Sequence, residues 1–190
     1  MYLTLSPVQE ITDRRNCSPE EITSLKQFLQ PRVPQLVQFI RAGAVVSKGR
    51  ITSCRDLAKI NTEWYNLGEI WSRKKYNLKF YRIDQIMTVL NDPACNDGSH
   101  RDLIQNYVRE IARNNFKSTI TLFEKDDEIF IYDGNHSAVA FFEYYSECGL
   151  DDINLEVFII SDKTLMRIFL IRCYNFIWFT LKNRKILLRR

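Results

Sequence analysis

With 190 residues, 45% of them hydrophobic and 26% charged, the chain can bury one principal core and is too apolar to be disordered, fibrous or low-complexity. The formal net charge of +4 is concentrated at one end: no acid follows Asp162, whereas Lys163, Arg167, Arg172, Lys182, Arg184, Lys185, Arg189 and Arg190 do. Such a tail suits phosphates or an anionic surface, and equally a solvated end that keeps the protein soluble.

The first 77 residues read as helical. Ser18-Pro19-Glu20-Glu21 is a helix start, with Ser18 as cap, Pro19 at the first helical position and Glu21 as capping-box partner. That helix should stop before the PRVP run at Pro31 to Pro34. A short apolar segment, LVQFIRAG, leads to Gly43. Ser53 begins the next long helix with Asp56 in the capping-box position, and Leu57, Ile60, Trp64, Leu67 and Trp71 recur at spacings of three and four, as core packing requires. A helix-turn-helix over GRITSCRDLAKINTEWYNLGEIWSRKK is the weaker description, because INTEW offers no turn glycine.

From Asn77 the texture changes to short runs. KFYRIDQI alternates well enough for a strand, NDPACNDG supplies turn chemistry, and HRDLIQNYVREIARNN has helical spacing. STITLF and IFIY are strands around the turn EKDDE, SAVAFFEYYSEC is a helix stopped by Gly149, and NLEVFII is a last strand. This order predicts a mixed α/β fold. The expected organisation is a helical N-terminal extension over 1–77, an α/β domain over 78–161, and a basic, aromatic-rich helix over 162–190.

Leu165 to Leu181 is apolar but carries Arg167, Arg172 and Asn175 and falls short of the about 20 residues of a span, so a buried or interfacial helix is expected there. MYLTLSPVQEITDRR lacks a basic segment followed by an apolar one, so no secretory leader is expected. Five scattered cysteines, with no C-x-x-C pair and no histidine at metal-ligand spacing, point to a reducing, cytoplasmic location.

The two histidines of the chain, His100 and His136, both sit in Asp-Gly-x-His: NDGSHR and YDGNHS. The first is explained by a turn at Asp97-Gly98 and a cap at Ser99. The second joins a strand to a helix through Asp133-Gly134, which aims the N–H groups of Asn135, His136 and Ser137 at one point, the geometry of an anion site. Asp133 can orient a hydroxyl, a water or Mg²⁺, and His136 can donate to phosphate or carry a proton near neutral pH. A short turn with a capping side chain is the structural alternative.

Phe80 to Ile160 resembles the ParB/sulfiredoxin superfamily domain in order and spacing. YRIDQI is similar to its opening "v-p-v-d-k-I", and RDLIQNYVREIARNNFKSTITLF to its helix, turn and strand. DDEIFIYDGNHSAVAFFEYYSECGLDDINLEVFII is similar to "d-g-x-y-x-I-x-D-G-x-H-R-x-x-A-x-x-x-x-G-x-x-x-v-x-v". The resemblance implies a small mixed sheet with helices and a strand-turn-helix that binds the phosphates of ATP or CTP, often with Mg²⁺. By position, the resemblance implies that Asp133, Gly134, Asn135 and His136 hold the nucleotide phosphates or the metal. In an enzyme, the amides of Asn135 to Ser137 would carry the phosphates, Asp133 would act on the metal or attacking hydroxyl, and His136 would be donor or general acid–base.

Ser137 stands where the family has arginine, which removes a bidentate phosphate donor. Asn135 stands where sulfiredoxin has its reactive cysteine, which excludes that chemistry. Arg101, in an interval where partition proteins bring an arginine to the nucleotide, is the expected replacement cation. Asp84, on the expected opening strand, is a candidate second carboxylate, with a plain surface residue as the stronger alternative. The functions implied are nucleotide-dependent phosphotransfer or hydrolysis, or a ParB-like module that binds DNA or protein through its helices and basic tail.

Overall fold

The computed structural model describes residues 11–62, 81–91, 99–116, 119–125 and 128–161. Within them the strands are β1 (Thr12–Asn16), β2 (Val45–Ser53), β3 (Asn61–Thr62), β4 (Tyr81–Arg82), β5 (Ile120–Lys125), β6 (Glu128–Asp133) and β7 (Asp152–Ser161). The helices are α1 (Pro19–Leu29), α2 (Pro34–Arg41), α3 (Cys54–Lys59), α4 (Ile83–Leu90), α5 (Ser99–Ala112) and α6 (Asn135–Glu147). One mixed sheet in the order β1-β2-β7-β5-β6-β3-β4 forms the centre. Its β5/β7 and β3/β6 pairs are parallel and its other pairs antiparallel.

Period-two alternation decides which side chains meet which helices. On β7, Ile153, Leu155, Val157 and Ile159 join the core beneath α3 to α6, together with Ile120, Leu122, Ile129 and Ile131. Phe158 and Ile160 point the other way, toward Leu25 and Leu29 of α1 and Leu36, Val37 and Ile40 of α2, where Val46 and Phe123 also lie. The sheet is therefore covered on both faces. Each fully buried Leu or Ile contributes roughly 1.5–3 kcal/mol of transfer free energy, before entropy is subtracted.

Several helix signals act as the sequence predicts. The Ser18 hydroxyl accepts from the Glu21 N–H at 3.3 Å, while the Glu21 carboxylate accepts from the Ser18 N–H at 2.9 Å. Pro19 opens α1, which ends before Pro31. Ser53 caps α3 by accepting from the Arg55 N–H.

The helical reading of residues 1–77 is corrected. β1, β2 and β3 all fall in it, and β2 lies between β1 and β7, so residues 12–62 complete the sheet instead of preceding it. VVSKGRITS buries Val46, Ser47, Gly49 and Ile51, a strand whose period is masked in the sequence by Ser47-Lys48-Gly49. Arg14 of β1 ties this edge to β5: its guanidinium donates to Glu124 at 2.8 and 2.6 Å, to Ser47 at 3.0 Å and to Ser161 at 2.9 Å.

The long helix from Ser53 is corrected as well. It stops after Lys59, where Ile60 turns extended and Asn61–Thr62 pairs with β6 and β4. Of KFYRIDQI, the described residues give Tyr81–Arg82 as strand. From Ile83 the buried Ile83, Ile86, Val89 and Leu90 follow a helical period, and helix wins. The Trp64, Leu67 and Trp71 face, the NDPACNDG turn and the 162–190 helix lie outside the described residues. Among the described residues, no helix is long and apolar enough to cross a membrane.

Candidate functional site

β6 ends at Asp133 and α6 begins at Asn135, with Gly134 between them at φ 90° and ψ 23°. Only glycine suits this link. A Cβ at Gly134 would lie 3.1 Å from the Thr119 carbonyl oxygen and from Ile120 Cγ1, besides requiring a left-handed backbone. The Ala138 N–H donates to the Gly134 carbonyl at 2.9 Å and closes the first helical turn. Asn135, His136 and Ser137 thus form the first turn of α6, whose N–H groups have no acceptor within the helix and carry its positive dipole end.

This turn forms one wall of a cleft of about 280 Å³ at the carboxyl end of β6. Phe28 and Arg32 enter from the α1 side of the sheet, and Tyr107, Phe116 and Thr119 come from α5 and the approach to β5. The Arg32 guanidinium lies over the Phe28 ring, 4.2 Å from its centroid, and its Nη1 is 3.9 Å from Asp133 Oδ2. Stacking directs a cation into the cleft at a distance too long for a direct hydrogen bond.

Two oxygens here are buried without a hydrogen-bond partner: Asp133 Oδ2 and Asn135 Oδ1. Burial raises the Asp133 carboxyl above its ordinary range, opposed by the Arg32 charge and the Gly134 N–H. Burial, with the charge of His100 adding to it, lowers His136 from 6.5 to about 4. Near neutral pH this imidazole is uncharged, so it serves as a hydrogen-bonding or proton-accepting group and not as a cation. Ser137 is buried beneath the turn.

The histidines of the two Asp-Gly-x-His stretches meet. His100, on the first turn of α5, places Nδ1 2.9 Å from Nε2 of His136. The interval that was expected to supply Arg101 supplies His100 instead. Arg101 turns to Glu143 of α6, donating through Nη1 at 3.0 Å and lying 2.9 Å away through Nη2, while Gln105 Nε2 donates to the same carboxylate at 2.7 Å. Its charge is thereby committed to a buried acid. Asp84 likewise pairs with Arg82, at 2.6 Å, at the start of α4.

Among the described residues, the cation that lines the cleft is therefore Arg32. No local pattern announces it, because PRVP reads only as the end of α1, and Arg32 meets Asp133 through tertiary packing alone.

Compared with protein-family models, curated proteins and solved structures, the chain gives no match.

The donor set fits a phosphate-bound hard cation. Mg²⁺ uses oxygen ligands, few of them from protein when phosphates and water supply the rest, and Asp133 offers one such oxygen. Among the described residues, no group of three or more His, Cys, Asp or Glu side chains gathers to hold a metal unaided.

Proposed function

We propose that the cleft beside the Asp133-to-Ser137 turn binds a nucleotide, ATP or CTP, by its phosphates together with Mg²⁺, and supports phosphotransfer or hydrolysis. One observation carries the reading: a stacked arginine, a helix N-terminus and a half-buried carboxylate, one oxygen of which has no hydrogen bond, converge on one cleft. The first two suit an anion and the third suits the metal or hydroxyl that accompanies it. The resemblance to the ParB/sulfiredoxin superfamily rests on the same turn and agrees with this reading.

Each residue then has a defined task. The first-turn amides of α6 and the Arg32 guanidinium hold phosphate oxygens and offset the charge that builds on them. Asp133 orients the attacking hydroxyl or water. As that oxygen bonds to the terminal phosphorus, the bond to the bridging oxygen breaks, the diphosphate leaves, and the proton of the nucleophile passes to His136, which is neutral and able to accept it. Mg²⁺, when bound, supplies further charge neutralisation.

A second reading, nucleotide binding without turnover in a module that contacts DNA or protein, is favoured by a single feature. Asp133 is the only carboxylate among the described residues that line the cleft. A reducing, cytoplasmic setting fits either reading, since Cys17, Cys54 and Cys148 are free thiols.

The test is calorimetric titration with ATP and CTP, each with and without Mg²⁺, beside Asp133→Ala and His136→Ala proteins. Mg²⁺-dependent binding that both variants lose is the expected result. A folded protein that binds neither nucleotide overturns the proposal. Measured phosphate release separates turnover from binding alone, and DNA affinity that falls steeply with salt would identify the module.

A further inference from the structure

His100 and His136 are joined end on. At an Nδ1 to Nε2 distance of 2.9 Å, with ring centroids 5.1 Å apart and planes inclined by 25°, no more than one ring radius remains on each side of the contact. The rings therefore meet through their nitrogens in nearly one plane, which is a hydrogen bond and not face-to-face stacking.

Such a contact has a strict proton count. Two N–H groups pointed at each other repel, and so do two lone pairs, so one proton occupies the line between the nitrogens. The pair can be neutral, or it can be a monocation in which one fully protonated ring donates to the other. A second added proton breaks it. The contact also selects the tautomer, because a ring that donates at this nitrogen and one that accepts there carry their remaining protons differently.

The surroundings hold the rings in place. Two helical turns along α6 from His136, Glu143 is 3% exposed and receives Arg101 and Gln105 of α5. This second polar contact pins α5 against α6 close to His100. Among the described residues, the titratable and charged groups near the pair include Arg32, Tyr107 and Asp133, which line the cleft with His136, and Arg101 and Glu143 along the seam between the two helices.

We propose that His100 is the positioning residue of His136, and that the two imidazoles act as a single one-proton acid–base unit at the edge of the cleft. This rests on the cleft being the ligand site. In that unit His136 meets the ligand, while His100 fixes its tautomer and, by the charge it carries when protonated, opposes a second proton on the buried ring. This role belongs to His100 of the first Asp-Gly-x-His stretch, and it is distinct from phosphate binding.

Because the chain holds two histidines, nitrogen-15 histidine NMR resolves the matter directly. In the wild type, His136 should show one tautomer and an acid-displaced titration. His100→Ala should give a tautomer mixture and move the His136 midpoint upward by about one pH unit. His100→Asn, whose amide can occupy the place of Nδ1, should restore the tautomer without restoring a titrating partner.

MgATP and MgCTP added to the same three proteins, over about pH 5 to 8, supply the second readout. The wild-type affinity should change with pH by one linked proton, and that dependence should flatten in both variants. A His136 tautomer and midpoint indifferent to His100→Ala overturn the inference even if nucleotide binds. Intact histidine coupling with no nucleotide binding overturns the ligand site, and with it the unit's role there, while the coupled pair itself is upheld.

Discussion

Arg32 and Asp133 face each other across the cleft at 3.9 Å, one from the turn after α1 and the other from the last position of β6. The arginine side chain is 55% exposed, so the pair contributes little to stability, about 0–1 kcal/mol. Its value lies in aim. Replacing Arg32 with alanine should leave the urea midpoint nearly unchanged and weaken phosphate-ligand binding about 10- to 100-fold, the worth of one charged hydrogen-bonding group. Lysine should recover part of this, lacking the planar fork that stacks on Phe28. Calorimetry on the two variants checks both statements.

Gly134→Ala separates scaffold from chemistry. The added methyl meets the Thr119 carbonyl and Ile120, and backbone atoms there cannot yield as a flexible side chain can. Together with the left-handed φ, this should cost about 2 kcal/mol or more. Thermal denaturation should show a fall of several degrees, with loss of ligand binding as the first turn of α6 is displaced. An unchanged melting temperature would contradict the geometry described for this turn.

The pH response of folding should report His136. Its folded value is depressed to about 4 from 6.5, so across this window the unfolded chain binds more protons than the native one. Stability is then complete above 6.5 and falls as pH drops toward 4. Glu21 and Asp151, each held at about 2 by hydrogen bonds from Arg15 and Arg55, begin to lose their contributions only below 4.5 and 3.8 respectively. Asp133 and Glu143, whose carboxyls are raised, act with the opposite sign, so the His136 contribution is read from the difference between wild type and variant. Between pH 6.5 and 4.5, urea midpoints of the wild type should therefore fall relative to those of His136→Gln.

Arg101 offers a test of a structural role against a ligand-binding one. Glu143 is buried, and burial raises its carboxyl despite the opposing charge of Arg101. Arg101→Met should strand this acid at a cost of about 3 kcal/mol near neutral pH. The loss should shrink on acidification, as Glu143 takes up a proton. Arg101→Met combined with Glu143→Leu should recover most of the stability, which denaturant titration of both proteins would measure.

The Asp133-to-Ser137 turn was legible in the sequence because its causes are local: a β-branched strand, a glycine and a helix follow one another without interruption. The helix over Ser99–Ala112 and the strand ending at Ser161 were legible for the same reason. Local period misled at β2, where Ser47, Lys48 and Gly49 hide an alternation that only the burial of Val46 and Ile51 reveals. At Ile83 it misled again, since four residues of apparent alternation preceded a longer helical repeat. Arg32 and the His100–His136 contact were beyond local reading, because each depends on where distant elements pack.

Because β2 pairs with β7 along most of its length, with Val46 opposite Ile160 and Ile51 opposite Leu155, the sheet cannot close during early synthesis. Val46 and Ile51 must wait, without their main partner, until nearly all the described chain has been made. Pairing this remote in sequence is slow, and a strand that waits is a template for other chains. Residues 12–53 are thus needed early for length and late for structure. A protein shortened from its amino end would leave β7 as a bare apolar edge, and aggregation should appear before any loss of cleft chemistry could be measured.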